Sequence, residues 1–244
     1  MSYSLNHDER LPLYQRLRDE LAARIADQHW RPGEAIPTEA ELVKSFGASI
    51  GTVRKAIDVL VADGLLERHQ GKGTYVRRAH FNSSLFRFFR FQSGAGERRV
   101  PEGRILHREV MTAPSAVAKA LHLAPGSEVI HLSRLRLLDN KPLLAESIWL
   151  PKAKFAALLD IDTDDFGDLL YPLYEQRCGQ VIASAEETLT AEAVSDHNAR
   201  LLQLPAGAVV IVIERVALGY DRLPLEWRRS HGPADQFRYH VEIR

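Results

Sequence analysis

Two stretches of the chain repeat each other at a fixed distance of 81 residues, and that duplication restricts the fold more than any other feature. Ala118-Lys119-Ala120-Leu121-His122-Leu123-Ala124-Pro125-Gly126 leads into an apolar run from Val129 to Leu138. Ala199-Arg200-Leu201-Leu202-Gln203-Leu204-Pro205-Ala206-Gly207 leads into another, from Val209 to Leu218. Leu121 matches Leu202, Gly126 matches Gly207, Val129 matches Val210 and Arg134 matches Arg215. One extra residue in the second turn then moves the offset to 82, so that Asp139 matches Asp221 and Pro142 matches Pro224. Each copy reads as a helix end, a tight turn, a strand, a hairpin turn and a second strand. One copy alone has too little sheet for a core, so the two are expected to join a single, mostly antiparallel sheet. The runs Val181 to Thr190 and Phe237 to Ile243 are candidates to extend it. Short helices around Leu158 and over Leu169 to Arg177 would cover a face, giving an α+β domain.

The N-terminal third follows a different grammar. Leu13, Leu17, Leu21 and Ile25 recur every four residues behind Pro12, which predicts an amphipathic helix to about Gln28, stopped by Pro32-Gly33. Thr38 and Glu41 form a capping box at the start of a short helix with Leu42, Val43 and Phe46 inward. Gly47 ends it and Ser49 caps a third helix, Ile50 to Ala62, with Val53, Ile57 and Leu60 inward. Leu65 to Arg68 and Thr74 to Arg77 flank the turn Gln70-Gly71-Lys72-Gly73 as a basic hairpin. Three helices and a hairpin in this order make a winged helix-turn-helix, although small helical interaction modules share parts of the pattern. A third helix seated in the major groove presents its N-terminal residues to base edges, while wing glycines let the backbone approach phosphate or the minor groove. The candidate DNA-contacting residues are Thr38, Ser49, Thr52, Arg54, Lys55, Gly71, Lys72 and Gly73.

Charge distribution agrees with a nucleic-acid partner even though the net charge is zero. From Arg68 to Arg108 there are ten basic residues and two acids, whereas Asp160 to Asp168 holds five Asp and no base. Such asymmetry fits a phosphate-binding surface inside a neutral total. The single cysteine, Cys178, excludes an intramolecular disulfide or a multi-cysteine zinc site. No apolar run is long enough to span a membrane and Met1 to Arg10 lacks a signal-peptide core, so a soluble, cytoplasmic protein without a membrane partner is expected.

Pro12-Leu13-Tyr14, Pro32-Gly33, Pro37-Thr38-Glu39-Ala40-Glu41-Leu42, Thr52-Val53-Arg54-Lys55-Ala56 and Gly71-Lys72-Gly73-Thr74-Tyr75-Val76 resemble the DNA-binding domain of the GntR superfamily, in order and spacing. The resemblance implies a bacterial transcription factor that binds a palindromic operator as a homodimer, with its third helices about one DNA turn apart. Two places depart from it. Ile50 and Ala40 stand where the family often has arginine, so of the usual base-reading arginines only Arg54 is kept.

In the first repeat, Leu132, Arg134 and Arg136 share one strand face. Arginine in an apolar strand needs a partner or a route to water. Arg134 and Arg215 could close internal ion pairs with Glu146, Glu186 or Glu214. Alternatively Arg134 and Arg136, with Glu146, Glu226 and Arg228, line a cleft for an anionic ligand, which the planar guanidinium fork suits. Leu132-x-Arg134-x-Arg136, Pro142, Glu146, Leu150-Pro151, Tyr171 and Glu226 resemble the UTRA effector domain of the HutC subfamily. That resemblance implies a non-catalytic, chorismate-lyase-like fold whose cleft, including Tyr171, binds a small effector. Leu169 replaces the serine of sugar-phosphate-sensing members, and Phe86 to Phe91 does not match their loop. A carboxylate is therefore expected over a sugar phosphate.

The expected organisation is a winged helix-turn-helix over 1–78, a linker over 79–102 and the effector and dimerisation domain over 103–244. Phe86, Phe88, Phe89 and Phe91 read as a linker strand packing on the effector domain, or as base-stacking residues. Asp160-x-Asp162-x-Asp164 lacks the glycine and final glutamate of a calcium loop. Neither a dinucleotide fingerprint, a Walker sequence, a His-x-x-x-His pair nor a nucleophile motif is present, so no metal, cofactor or catalytic residue is expected. The reading is a ligand-responsive repressor. A fused lyase-like enzyme and an architectural DNA-binding protein are the alternatives.

Overall fold

The computed structural model describes residues 10–78 and 100–237. The described chain divides into two compact units, the first made of residues up to 78 together with Gly219–Arg222 and the second of the remainder.

In the first unit, α1 (Leu13–Ala26) starts behind Pro12 and buries Leu17, Leu21 and Ile25. α2 (Glu39–Phe46) carries the full capping box: the Glu41 amide donates to Thr38 Oγ1 at 3.3 Å and the Thr38 amide to Glu41 Oε2 at 2.8 Å. Gly47 closes α2 at φ 62°, a left-handed turn that glycine adopts without a Cβ penalty. α3 (Ile50–Ala62) follows at once, capped by Ser49 Oγ, and buries Val53, Ala56, Ile57 and Leu60 against α1. β1 (Leu66–His69) and β2 (Gly73–Val76) pair antiparallel as the wing. The chain before α2 lies along the free side of β2, with the Ile36 amide donating to the Thr74 carbonyl and the Val76 amide to that of Glu34. The winged helix-turn-helix stands as expected.

Among the described residues, the second unit is built on six strands. In chain order it runs β3 (Glu102–Thr112), α4 (Ser115–Ala120), β4 (Glu128–Leu138), β5 (Lys141–Pro151), α5 (Lys152–Phe155), α6 (Leu170–Cys178), β6 (Ser184–Ala193), α7 (Asp196–Leu202), β7 (Val209–Leu218) and β8 (Pro224–Pro233). The sheet order is β3-β4-β5-β8-β7-β6 and each pairing is antiparallel. The duplication accounts for this order. β3-α4-β4-β5 and β6-α7-β7-β8 are two copies of one motif, joined where β5 meets β8. Ser147 sits opposite Arg229 at that join, 82 residues away, so a pseudo-twofold axis passes through the pair. Left-handed residues recur at the repeat spacing too: His122 with Gln203, and Asn140 with Arg222.

One sheet face carries Ile130, Leu132, Ile148 and Leu150 beneath Phe155, Leu158, Phe166 and Tyr174. On the other, Trp149 stacks between His131 and Trp227 at centroid distances of 5.0 and 4.8 Å. α4 covers that end with Val117 and Leu121, and α7 covers Leu135, Ala145 and Val210 with Ala199 and Leu202.

Three expectations need correction or limits. β3 was not anticipated: it is an edge strand whose Leu106 and Val110 are exposed, and a bulge between Ile105 and His107 breaks the two-residue period. β6 runs from Ser184 to Ala193 and not from Val181, because its partner β7 ends at Leu218, opposite Ser184. Phe237 follows a short 3₁₀ turn, Ala234–Gln236, outside any strand. The rest of the expected final strand, and the Phe86 to Phe91 segment, lie outside the described residues.

Candidate operator interface and effector site

At the N-terminal end of α3, Ser49 Oγ accepts from the Thr52 amide at 3.2 Å and lies 2.9 Å from the Thr52 hydroxyl. One helical turn on, the exposed Arg54 is held by Glu39: its Nε and Nη2 both donate to Glu39 Oε2, at 3.2 and 2.9 Å. Glu39 also lies 3.5 Å from Arg68, which reaches Asp58 at 2.6 Å and so ties the wing to α2 and α3. From sequence, Glu39 stands only within the Pro37–Leu42 motif, with no sign of its pairing to Arg54. Lys55 Nζ sits 3.9 Å above the Tyr14 ring of α1, a cation–π contact that directs it toward α1. Thr38 is committed to its capping box. Gly71 and Gly73 have φ of 72° and 122°, and the exposed Lys72 between them donates its amide to the His69 carbonyl. Ser49, Thr52 and Arg54 thus share one helix end, and Gly71, Lys72 and Gly73 share the wing tip.

In the second unit, antiparallel register brings the charged side chains of four strands onto one face. Arg134 and Arg136 come from β4, Glu146 from β5, Glu226, Arg228 and Ser230 from β8, and Arg215 from β7. All are buried, and Glu226 is wholly so. Glu226 accepts from Arg228 twice (Nε 3.0 Å, Nη2 2.8 Å), from Tyr174 at 2.8 Å and from Tyr171 at 3.2 Å. Glu146 lies 3.3 Å from Arg228 and 3.5 Å from Arg134, and accepts from Ser230 at 3.1 Å. Arg215 pairs with Glu187 on β6 and donates to the Tyr171 hydroxyl at 3.2 Å. The six expected effector residues therefore converge. Of the expected ion pairs, Arg134 with Glu146 forms. Arg215 takes Glu187 in place of Glu186 or Glu214, because Glu187 is its cross-strand neighbour on the same face. Tyr174, Ser230 and Glu187 are additional members.

Backbone completes the cluster. Arg134 Nη2 donates to the Gly167 and Asp168 carbonyls at 3.2 and 2.8 Å, and Arg136 Nη1 to that of Asp168 at 2.7 Å. Arg136 Nε and Nη2 and Arg134 Nε are buried without a hydrogen-bond partner. Buried donors of this kind are uncommon and costly. Four guanidiniums (Arg134, Arg136, Arg215, Arg228) face three carboxylates, the buried Glu146 and Glu226 and the partly buried Glu187, an excess of one positive charge, while the exposed Asp168 meets the arginines through its backbone carbonyl. Burial would raise the Glu146 pKa, but Arg228, Arg134 and Arg136 more than offset it and hold it at about 2. Burial lowers Arg134 to about 10, against the pull of Glu146, and lowers Arg136 as well. Burial and the adjacent Glu226 push both tyrosines up, so each remains a neutral donor.

Gly103 is a requirement of this arrangement. A Cβ there would fall 1.9 Å from Arg134 Nη2 and 2.6 Å from Cζ, while the Gly103 amide donates to Asp168 Oδ1 at 2.8 Å. Gly103→Ala is expected to expel the Arg134 guanidinium from its partners. Loss of one partner from a buried pair costs about 3–5 kcal/mol. Thermal denaturation should detect it, and an unchanged midpoint would contradict the packing.

A winged helix-turn-helix joined to a sheet unit with a buried, positively charged cluster defines a DNA-binding regulator with its own ligand-sensing unit. Residues 13–76 match the family described as bacterial regulatory proteins, gntR family, and residues 96–238 match the UTRA domain. The chain belongs to the GntR family, in its UTRA-containing branch, and is a ligand-responsive, DNA-binding transcriptional repressor. It is 30% identical over 231 residues to the mannosyl-D-glycerate transport/metabolism system repressor MngR of Escherichia coli, covering 93% of this chain and 94% of that protein. It is 25% identical to the transcriptional repressor NagR of Bacillus subtilis over 97% of this chain and 96% of that one. The crystal structure of PhnF from Mycobacterium smegmatis shares the fold at a TM-score of 0.55 and 24% identity, over 93% of this chain and 98% of that chain.

Proposed function

We propose that this repressor binds a palindromic operator as a cytoplasmic homodimer and is released by a small, singly charged anion, a carboxylate in preference to a sugar phosphate. Residues 1–78 bind DNA, 79–102 link, and 103–244 hold the effector and the dimer contact. Thr38, Ser49, Thr52, Arg54, Lys55, Gly71, Lys72 and Gly73 form the operator-contacting set. Arg134, Arg136, Glu146, Tyr171, Glu226 and Arg228 form the effector set, which acts by binding without turnover.

The observation that carries the effector reading is the buried Arg136, with Nε and Nη2 lacking acceptors beside an excess of one positive charge. A monoanion would use those donors and neutralise that excess, whereas a dianion would leave a buried negative charge. Leu169, at the N-cap of α6, offers no side-chain hydroxyl to a phosphate. The relative MngR is named for mannosyl-D-glycerate, and a glycerate carries a carboxylate. Release requires that the effector bind the DNA-free form more tightly, and a coupling of about 1–3 kcal/mol would lower operator affinity roughly 5- to 150-fold.

The test is fluorescence anisotropy of the whole chain on the DNA upstream of its own gene, at two salt concentrations, with panels of small carboxylates and sugar phosphates. The expected result is salt-dependent binding that one carboxylate releases, and that Arg136→Ala retains without release. Release by phosphate esters alone would overturn the carboxylate reading. Chemical conversion of the releasing compound would favour an enzyme instead.

A further inference from the structure

Position 50 poses a question that the fold of the first unit does not answer. Ile50 is the first residue of α3, where Ser49 already caps the helix. The inward face of α3 is filled by Val53, Ala56, Ile57 and Leu60. Ile50 is 48% exposed, a large apolar side chain among Ser49, Thr52 and Arg54. A β-branched residue there gains nothing from helix propensity or from burial. The only apolar group on base edges in the major groove is the thymine methyl.

The second observation is the brace on Arg54. Glu39 engages Nε and one hydrogen of Nη2, which is the lateral side of the guanidinium. The end-on pair, Nη1 with the other Nη2 hydrogen, remains directed away from Glu39. That pair matches the N7 and O6 acceptors of guanine. Ile50 and Arg54 are four residues apart, so they lie on one face of α3 with Cβ atoms about 5–6 Å from each other. Base pairs are stacked at about 3.4 Å.

We propose that Ile50 is a specificity-determining residue that reads a thymine methyl, one or two base pairs from a guanine read by the Glu39-braced Arg54. Each half-site then carries a thymine and a guanine at that separation. The inference rests on the DNA-binding activity of the first unit and is independent of the effector.

The test begins with selection of the half-site from randomised duplexes by the whole chain. Each thymine of the selected duplex is then replaced by deoxyuridine, which removes only the methyl group. The guanine contacted by Arg54 is located by 7-deazaguanine substitution, as the position whose effect disappears in Arg54→Ala at low salt. Loss of one buried methyl is expected to weaken binding about fourfold per half-site. One thymine, within two base pairs of that guanine, should show this loss, and the same replacement should have no effect on Ile50→Ala. Because Ile50 is exposed, Ile50→Ala should keep the wild-type melting temperature. The proposal is overturned if no deoxyuridine substitution distinguishes wild type from Ile50→Ala, or if the sensitive thymine lies farther from the guanine.

Discussion

Arg54→Ala is expected to remove specific operator recognition while leaving the fold and the non-specific affinity nearly intact. A bidentate arginine–guanine pair is worth about 1–3 kcal/mol of discrimination, so each half-site should lose roughly 5- to 150-fold. A two-half-site operator squares that loss. Arg54 is exposed and its partner Glu39 is partly exposed, so the melting temperature should stay within about 1 °C. The measurement compares operator and scrambled duplex by anisotropy over a range of salt. A base-reading role predicts that the operator curve collapses onto the scrambled one with little change in the salt slope of the latter. An equal loss on both duplexes, with a shallower slope, would make Arg54 a phosphate contact instead.

The largest stability effect should come from Glu226→Ala. Its carboxylate takes four donors, two from Arg228 and one each from Tyr171 and Tyr174, in a fully buried setting. Removing it leaves a buried guanidinium without its main counter-ion and two phenols without acceptors. Breaking one side of such a pair costs about 3–5 kcal/mol, which lowers the midpoint of a unit this size on the order of 10 °C. Glu226→Gln keeps an acceptor oxygen and the side-chain shape, so its midpoint should fall distinctly less. Calorimetry of the whole chain tests both. A shift for Glu226→Ala smaller than that for Glu226→Gln would mean that packing, and not charge compensation, holds this face together.

How much of this was legible beforehand depends on how local each cause is. Thr38 with Glu41, Ser49 and Gly47 act within a few residues, so the helix ends of the first unit could be read directly. The duplication was readable as an offset in the numbering, and it carried the single antiparallel sheet with it. β3 was not readable, because an exposed edge with a bulge satisfies no period. Strand parity and the UTRA resemblance point to the residues of the buried charged cluster. Their partners depend on register between strands far apart in sequence, which is why Glu187 was passed over for Glu186 and Glu214. The roles of Gly103 and of the Gly167 and Asp168 carbonyls belong to backbone, which leaves no trace in residue type beyond one glycine among fifteen.

The pseudo-twofold at Ser147 and Arg229 has a consequence for stoichiometry. Positions related by that axis face each other near it, so identical halves would put like charges in contact. Glu146 and Arg228 occupy equivalent places, 82 residues apart, and attract each other across 3.3 Å. Such a pair exists only because both halves belong to one polypeptide and are free to differ. The same divergence places Ala217 where the first half has Arg136. The arginine that symmetry would have repeated stands in one half only, so the proposed effector site is expected to give a stoichiometry of one per chain by titration calorimetry.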